Sequence, residues 1–303
     1  MSLYQKHRPQ SLEQVKGNEG IIQTLQGMLV KKETFPHALL FHGQTGCGKT
    51  TLARIISKEL GCSEMDYKEI NTADFRGIDT IRELIKNSQF SAMEGSVRVW
   101  VVDECHKLTG DAQNALLKIL EDTPPHIYFI LCTTESQKLL PTIRGRCSQF
   151  QVNPLTDSQM TGLLRRISRD EDVVLETEVM EQIVRDSFGL PRNAISILEQ
   201  VLNVPEDRRL EVAKQTAVTV SQGIELCRAL IKQEPWKAVS KILVGLKDQE
   251  AEGIRRIILG YCQSVLLNGD NDMAGLIMEE CINPFYDSGF PQLVFACYKI
   301  CKL

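Results

Sequence analysis

HALLFHGQTGCGKT, residues 37–50, carries the reading of the whole chain. Its first half is a short apolar run suited to a buried strand. Its second half, from Gly43 to Thr50, is a complete G-x-x-x-x-G-K-[ST] pattern, and TTLARIISKEL, residues 50–60, follows with helical periodicity. Strand, glycine loop and helix in that order make a phosphate cradle. Gly43, Thr45, Gly46, Cys47, Gly48 and Thr51 supply backbone N–H groups that curl around phosphate oxygens, and the helix N-terminus adds its positive end. Lys49 brings a point charge and Thr50 a hydroxyl able to ligate Mg2+. A glycine turn that binds nothing is the competing reading, and the flanking strand and helix weigh against it.

Further apolar runs lie downstream at YKEINT (67–72), VRVWVVDE (97–104), IYFILCTT (127–134) and SQFQVN (148–153). Alternating with amphipathic stretches such as GDAQNALLKILED (110–122), they predict an α/β domain with a parallel sheet covered by helices. VRVWVVDE ends in Asp103 and Glu104, and in such a sheet this strand end lies beside the phosphate loop. Asp103 is suited to holding the Mg2+ shell, and Glu104 to orienting and deprotonating an attacking water. An acidic strand end facing solvent is the plainer alternative, which the complete phosphate loop upstream displaces. Cys105 and His106 invite a metal-site reading, but the sequence offers no further ligands at suitable spacing.

Strand patterns nearly vanish after Asn153. Pro154, with Thr156 or Asp157 as N-cap, opens a helical stretch with apolar faces in MTGLLRRI, EVMEQIV and NAISILEQV. The polar stretch VPEDRRLEVAK reads as a separator from a last helical block carrying IELCRALI, AVSKILVGL, GIRRIILGYCQSVLL and MAGLIMEECI. Three domains are expected, at residues 1–153, 154–205 and 206–303. An apolar share of 43% with 24% charged residues is that of a folded globular protein, which leaves an enzyme possible. A net charge of -4 excludes a generally basic DNA-coating protein, so nucleic-acid contact requires a local patch. No apolar run has the length of a membrane span or the look of a secretory signal, and a cytoplasmic location is expected. Ten scattered cysteines fit reduced, mostly buried thiols, with no zinc site.

Across about residues 3–202 the chain resembles the AAA+ clamp-loader ATPases, the bacterial gamma/tau subunits and the small subunits of replication factor C. FILCTTESQKLLPTIRGRCSQF resembles the family's sensor 1 strand and its Ser-Arg-Cys signature, and GLPRNAISILEQV its sensor 2 helix. YQKHRPQSLEQVKGNEG is similar to the segment that packs around adenine in the family, which implies ATP contacts from Tyr4, Arg8, Pro9 and Val15. The resemblance implies a RecA-like P-loop module with a helical lid and an all-helical collar, and ATP and Mg2+ as cofactors. It also implies Thr134 as sensor 1, Arg192 as sensor 2 and Arg146 as an arginine finger acting on ATP held by a neighbouring subunit. Here the signature reads Gly145-Arg146-Cys147, so the loop departs from the family and Arg144 is a rival finger. The cysteine-rich zinc insertion of bacterial gamma subunits is absent, and NTADFRGIDTIREL is closer to the replication factor C small subunits. A compact loader ATPase, cellular or viral and then in the host cytoplasm, fits this pattern.

The implied partners are a sliding clamp, other loader subunits in a pentameric ring or spiral, and primer-template DNA. In FRGIDTIRELIK, Arg76, Arg82 and Lys86 are candidate phosphate-backbone contacts, against the alternative of a solvated face paired with Asp79 and Glu83. In KNSQFSAMEGS, Phe90 and Met93 are candidate clamp anchors, against core packing. The sequence thus points to a clamp-loading ATP hydrolase. A branch-migration type of AAA+ helicase and a non-hydrolysing scaffold subunit are the alternatives.

Overall fold

A computed structural model describes residues 2–302 apart from 73–76, 248, 250, 269–270 and 286–287, with the side chains of 214–222, 224, 264, 267 and 268 also outside the description. The chain forms two compact units, Met1–Glu199 and Gln200–Leu303.

In the first unit the order is α1 (Leu3–Lys6), α2 (Glu19–Val30), β1 (Ala38–His42), α3 (Lys49–Glu59), β2 (Cys62–Asn71), α4 (Ile78–Asn87), β3 (Val97–Asp103), α5 (Gly110–Glu121), β4 (Ile127–Thr133), α6 (Pro141–Arg146) and β5 (Ser148–Gln151). Each predicted strand forms, and β2 begins earlier than its apolar run, with a register irregularity between Cys62 and Tyr67. The five strands pair in the order β2-β3-β4-β1-β5, all parallel. Alternation along the strands feeds two cores. Leu39, Phe41, Val101 and Ile130 join Leu52, Ile55 and Ile56 of α3 on one face, and Leu40, Val102, Phe129 and Leu131 meet Ile81, Leu84 and Leu116 of α4 and α5 on the other. Each such side chain is worth about 1.5–3 kcal/mol when fully buried. The order places the ends of β3, β4 and β1 side by side, where the phosphate loop begins.

Three more helices complete this unit: α7 (Asp157–Asp170), α8 (Thr177–Asp186) and α9 (Pro191–Leu202), whose last turn crosses the boundary between units. Thr156, not Asp157, caps α7: its hydroxyl accepts from the Gln159 N–H, and the Gln159 side chain accepts from the Thr156 N–H. Buried Leu163, Ile167, Val179, Ile183, Ile195 and Leu198 are the apolar faces read from the sequence.

The second unit is helical: α10 (Arg209–Ile231), α11 (Trp236–Gly245), α12 (Ala251–Asn268), α13 (Asp272–Cys281) and α14 (Gly289–Ile300). Its core gathers Leu226, Leu230, Leu243, Ile258, Ile277, Phe285 and Leu293. Within VPEDRRLEVAK the chain leaves α9 and passes through a 3-10 turn at Glu206–Arg208, and the second half of the stretch is already helical, since α10 starts at Arg209. Leu210 and the fully buried Ala213 give the polar stretch an inward face three residues apart, which its overall polarity masks. All ten cysteines are free and eight are buried, and burial pushes the Cys281 thiol up to about 12.

Candidate nucleotide site

The loop after β1 is shaped by glycine. Gly43 has φ +149, and a Cβ there would lie 2.1 Å from the Val152 carbonyl oxygen, so no other residue fits between β1 and β5. Gly46, at φ +84, turns the loop back under the lid, where its carbonyl accepts from the Arg192 N–H at 3.4 Å. Gly48 N-caps α3, which leaves the first N–H groups of that helix at the loop. The Lys49 ammonium, nearly buried, donates to the carbonyls of Gly43 and Gln44 at 2.9 Å each. It spans the concavity that phosphate oxygens would fill.

Opposite the loop, Thr50 Oγ1 donates to Asp103 Oδ2 at 2.8 Å. A hydroxyl and a carboxylate meeting at the mouth of a phosphate loop are the all-oxygen donors that Mg2+ prefers, so these residues fit the metal. After Asp103 the chain turns sharply: Glu104 lies in the left-handed region at φ 52. The turn is pinned by Thr72, whose hydroxyl contacts the Asp103 and Glu104 carbonyl oxygens at 3.0 and 2.6 Å, and by the Glu104 N–H, which donates to Asp103 Oδ1 at 2.9 Å. Thr134, just past β4, donates to Glu104 Oε2 at 3.5 Å. Thr45, Gly46, Gly48, Lys49, Thr50, Thr51, Asp103, Glu104, Tyr4 and Arg192 line one cleft.

A second cleft adjoins it, lined by Tyr4, Arg8, Pro9, Val15, Cys47 and Thr51 together with Leu163, Pro191 and Ile195. Its lining is mainly apolar, with Tyr4 at the junction between the two. Arg8 and Arg192 lie over the Tyr4 ring at 5.0 and 5.2 Å and donate to its hydroxyl at 2.9 and 3.5 Å. Burial raises the Tyr4 pKa, but the bonds from Arg192 and Arg8 outweigh it and the net shift is downward. The N-terminal segment is tied to the lid helices, with the Leu3 N–H donating to Glu199 Oε1 at 2.8 Å and Lys6 pairing with Glu171. Gln14, Asn18, Leu163 and Ile195 also line this cleft but are not singled out by the sequence, because they belong to different segments and only folding brings them together.

Other candidates lie apart from the clefts. Arg146 pairs with Glu121 and donates to the Thr142 carbonyl at 3.1 Å, on the exposed end of α6. Arg144 is half-buried and donates to Gln137 at 3.3 Å. Arg82 and Lys86 are exposed on α4, with Arg82 donating to Asp79 at 3.1 Å; Arg76 lies outside the described residues. Phe90 and Met93 are 58% and 69% exposed, against the core reading. Sequence reasoning gave no sign of what holds them. The fully buried Asp66 carboxylate accepts from the N–H groups of Met93, Glu94 and Gly95, and the Arg98 guanidinium donates to the Asn87 and Ser91 carbonyls.

Known proteins are similar to this chain. A family profile described as DNA polymerase III, delta subunit, matches residues 66–156. The chain is 36% identical over 225 residues to DNA polymerase III subunit gamma/tau of Mycobacterium tuberculosis, covering 67% of this chain and 39% of that protein. It is 35% identical over 227 residues to DNA polymerase III subunit tau of Bacillus subtilis, covering 68% and 40%. The chain belongs to the AAA+ clamp-loader ATPases. It spans about two-fifths of the length of these clamp-loader relatives, 39% and 40%. Among solved structures, the Thermotoga maritima RuvB Holliday junction branch migration motor matches with a TM-score of 0.60 and 21% identity, covering 77% of this chain and 84% of that one. At that identity the likeness speaks to fold alone.

Proposed function

We propose that the chain is an ATPase subunit of a sliding-clamp loader, using ATP binding and hydrolysis to place a clamp on primer-template DNA in the cytoplasm. The observation that carries this reading is the convergence of Lys49, Thr50, Asp103, Glu104 and Arg192 on one glycine loop beside an apolar cleft, with Thr134 against Glu104. The cleft lined by Tyr4, Arg8, Pro9 and Val15 takes the adenine, and the loop takes the phosphates with Lys49 at the β/γ end. Thr50 and Asp103 would hold Mg2+, which would neutralise phosphate charge. Glu104 accepts the proton of the attacking water, Thr134 orients that water or the γ-phosphate, and Arg192 draws the lid toward the nucleotide.

Residues 154–205 act as the lid and 206–303 as an oligomerising collar in a ring or spiral with other loader subunits. Arg146 completes the site of the neighbouring subunit, a role supported by its exposure on α6 away from its own loop. Arg76, Arg82 and Lys86 track DNA phosphates, and Phe90 and Met93 anchor the clamp. A branch-migration motor has support from fold alone, and a non-hydrolysing scaffold does not explain Glu104 and Arg146. ATPase activity measured with and without primed DNA and clamp tests the proposal.

A further inference from the structure

His106 sits where the ends of β3 and β4 meet, with its side chain 6% exposed. Its Nδ1 is 3.0 Å from Thr133 Oγ1 and 3.4 Å from Glu104 Oε2, and its Nε2 is 3.4 Å from Glu135 Oε1. The groups that locate the ring are themselves fixed. Thr133 Oγ1 accepts from the Glu135 N–H at 3.0 Å, and the Glu135 carboxylate is paired with Lys138 at 2.8 Å. No cluster of three or more potential metal ligands exists among the described residues, so the ring is held by hydrogen bonding and packing there.

Among the described residues, the contacts of the Glu104 carboxylate are with His106 and with the Thr134 hydroxyl, and both fall on Oε2. Oε1 is left to accept a proton. A carboxylate on a flexible side chain presents either oxygen unless something distinguishes them, and misplacing a base by ~1 Å can cost ~100-fold in rate. The backbone of Glu104 is pinned from the β2 side by Thr72, and its side chain is backed from the β4 side by His106.

We propose that His106 is a positioning residue for Glu104: held by Thr133 and Glu135, the imidazole backs Oε2 and fixes the oxygen turned toward the attacking water. This rests on the reading of Glu104 as the base. It also links the base to the β4 end, where Thr134 follows Thr133.

The test uses the full chain, assembled as for the parent. His106→Phe keeps a ring and removes both nitrogens; turnover falls at least ~10-fold while ATP affinity changes less than ~2-fold, the split expected when an interaction acts on the chemical step. His106→Asn, whose amide reaches the Nδ1 position, recovers part of the loss. Thr133→Val removes the hydroxyl that fixes Nδ1 and reproduces the fall, which keeps the test open should His106→Phe not fold. In a Glu104→Gln background, His106→Phe adds no further loss, because the two changes act through one carboxylate. Folded His106→Phe and Thr133→Val proteins with parental turnover, beside an inactive Glu104→Gln protein, overturn the positioning role alone. A Glu104→Gln protein as active as the parent overturns the base assignment, and the role of His106 with it.

Discussion

Thr50 Oγ1 donates to Asp103 Oδ2 across 2.8 Å, joining the first turn of α3 to the last residue of β3. The bond is exposed to the cleft rather than sealed in a core, so its partners are free to exchange each other for a metal and its water. Thr50→Val keeps the volume and removes the hydroxyl. ATP affinity in the presence of Mg2+ should fall at least ~10-fold, about 1.4 kcal/mol, with little change in Mg2+-free affinity. Titration with a fluorescent ATP analogue, with Mg2+ and with chelator, reads both.

Arg146 contacts Glu121 and the Thr142 carbonyl rather than its own phosphate loop. An exposed ion pair is worth up to ~1 kcal/mol, whereas an arginine acting in trans on a γ-phosphate is worth ~10³-fold or more in rate. Arg146→Ala should therefore leave ATP binding intact and sharply cut assembly-dependent hydrolysis. Mixing Arg146→Ala subunits with Lys49→Ala subunits should restore part of the activity, at interfaces where an intact loop meets an intact Arg146. No recovery moves the finger to Arg144.

The loop bearing Phe90 and Met93 is fixed from beneath. Burial would raise the Asp66 pKa, but the N–H groups of Gly95, Met93 and Glu94 outweigh it and hold the carboxyl well below the usual range. Two exposed apolar side chains on a rigid support contribute little to folding and much to a docked partner. Phe90→Ala with Met93→Ala should weaken clamp binding at least ~10-fold while moving stability by less than ~0.5 kcal/mol. Clamp titrations and thermal melts of the double variant decide between docking and packing.

The parallel sheet, the loop and the Asp103–Glu104 strand end were legible because each is a local pattern: an apolar run, a fixed spacing, a periodicity. The helices α7 and α9 were legible, but not the side chains by which they reach the second cleft, since Leu163 and Ile195 read as ordinary core positions. Asp66 was illegible. It sits in the polar run SEMDYKE, and its partners lie up to 32 residues away, across β2 and β3. His106 was visible as a residue type, and its contacts arise only when β3 and β4 bring it against Thr133.

In the second unit, Glu252 is buried and accepts from Arg255 Nε at 2.7 Å and from the Phe285 N–H at 3.0 Å, tying α12 to the segment after α13. The Arg255 hydrogen bonds, followed by the Phe285 N–H, hold its carboxyl down to about 2. A folded pKa below the unfolded value gives stability that is present above pH ~4.5 and lost as the pH falls toward ~2. Glu252→Gln should cost ~3 kcal/mol at neutral pH, the scale for breaking a buried pair, and should flatten this acid limb. Chemical denaturation at pH 7 and pH 3, for parent and variant, measures both effects.

The most direct measurement of the central claim is steady-state ATP hydrolysis by the chain, assembled with its loader partners, with and without primed DNA and the cognate sliding clamp. A loader spends ATP on gripping and releasing those two ligands, so hydrolysis should be slow alone and rise at least ~10-fold when both are present, with loss of the rise in Glu104→Gln. Hydrolysis that is indifferent to the clamp, or that accompanies processive unwinding of duplex DNA, would contradict the account.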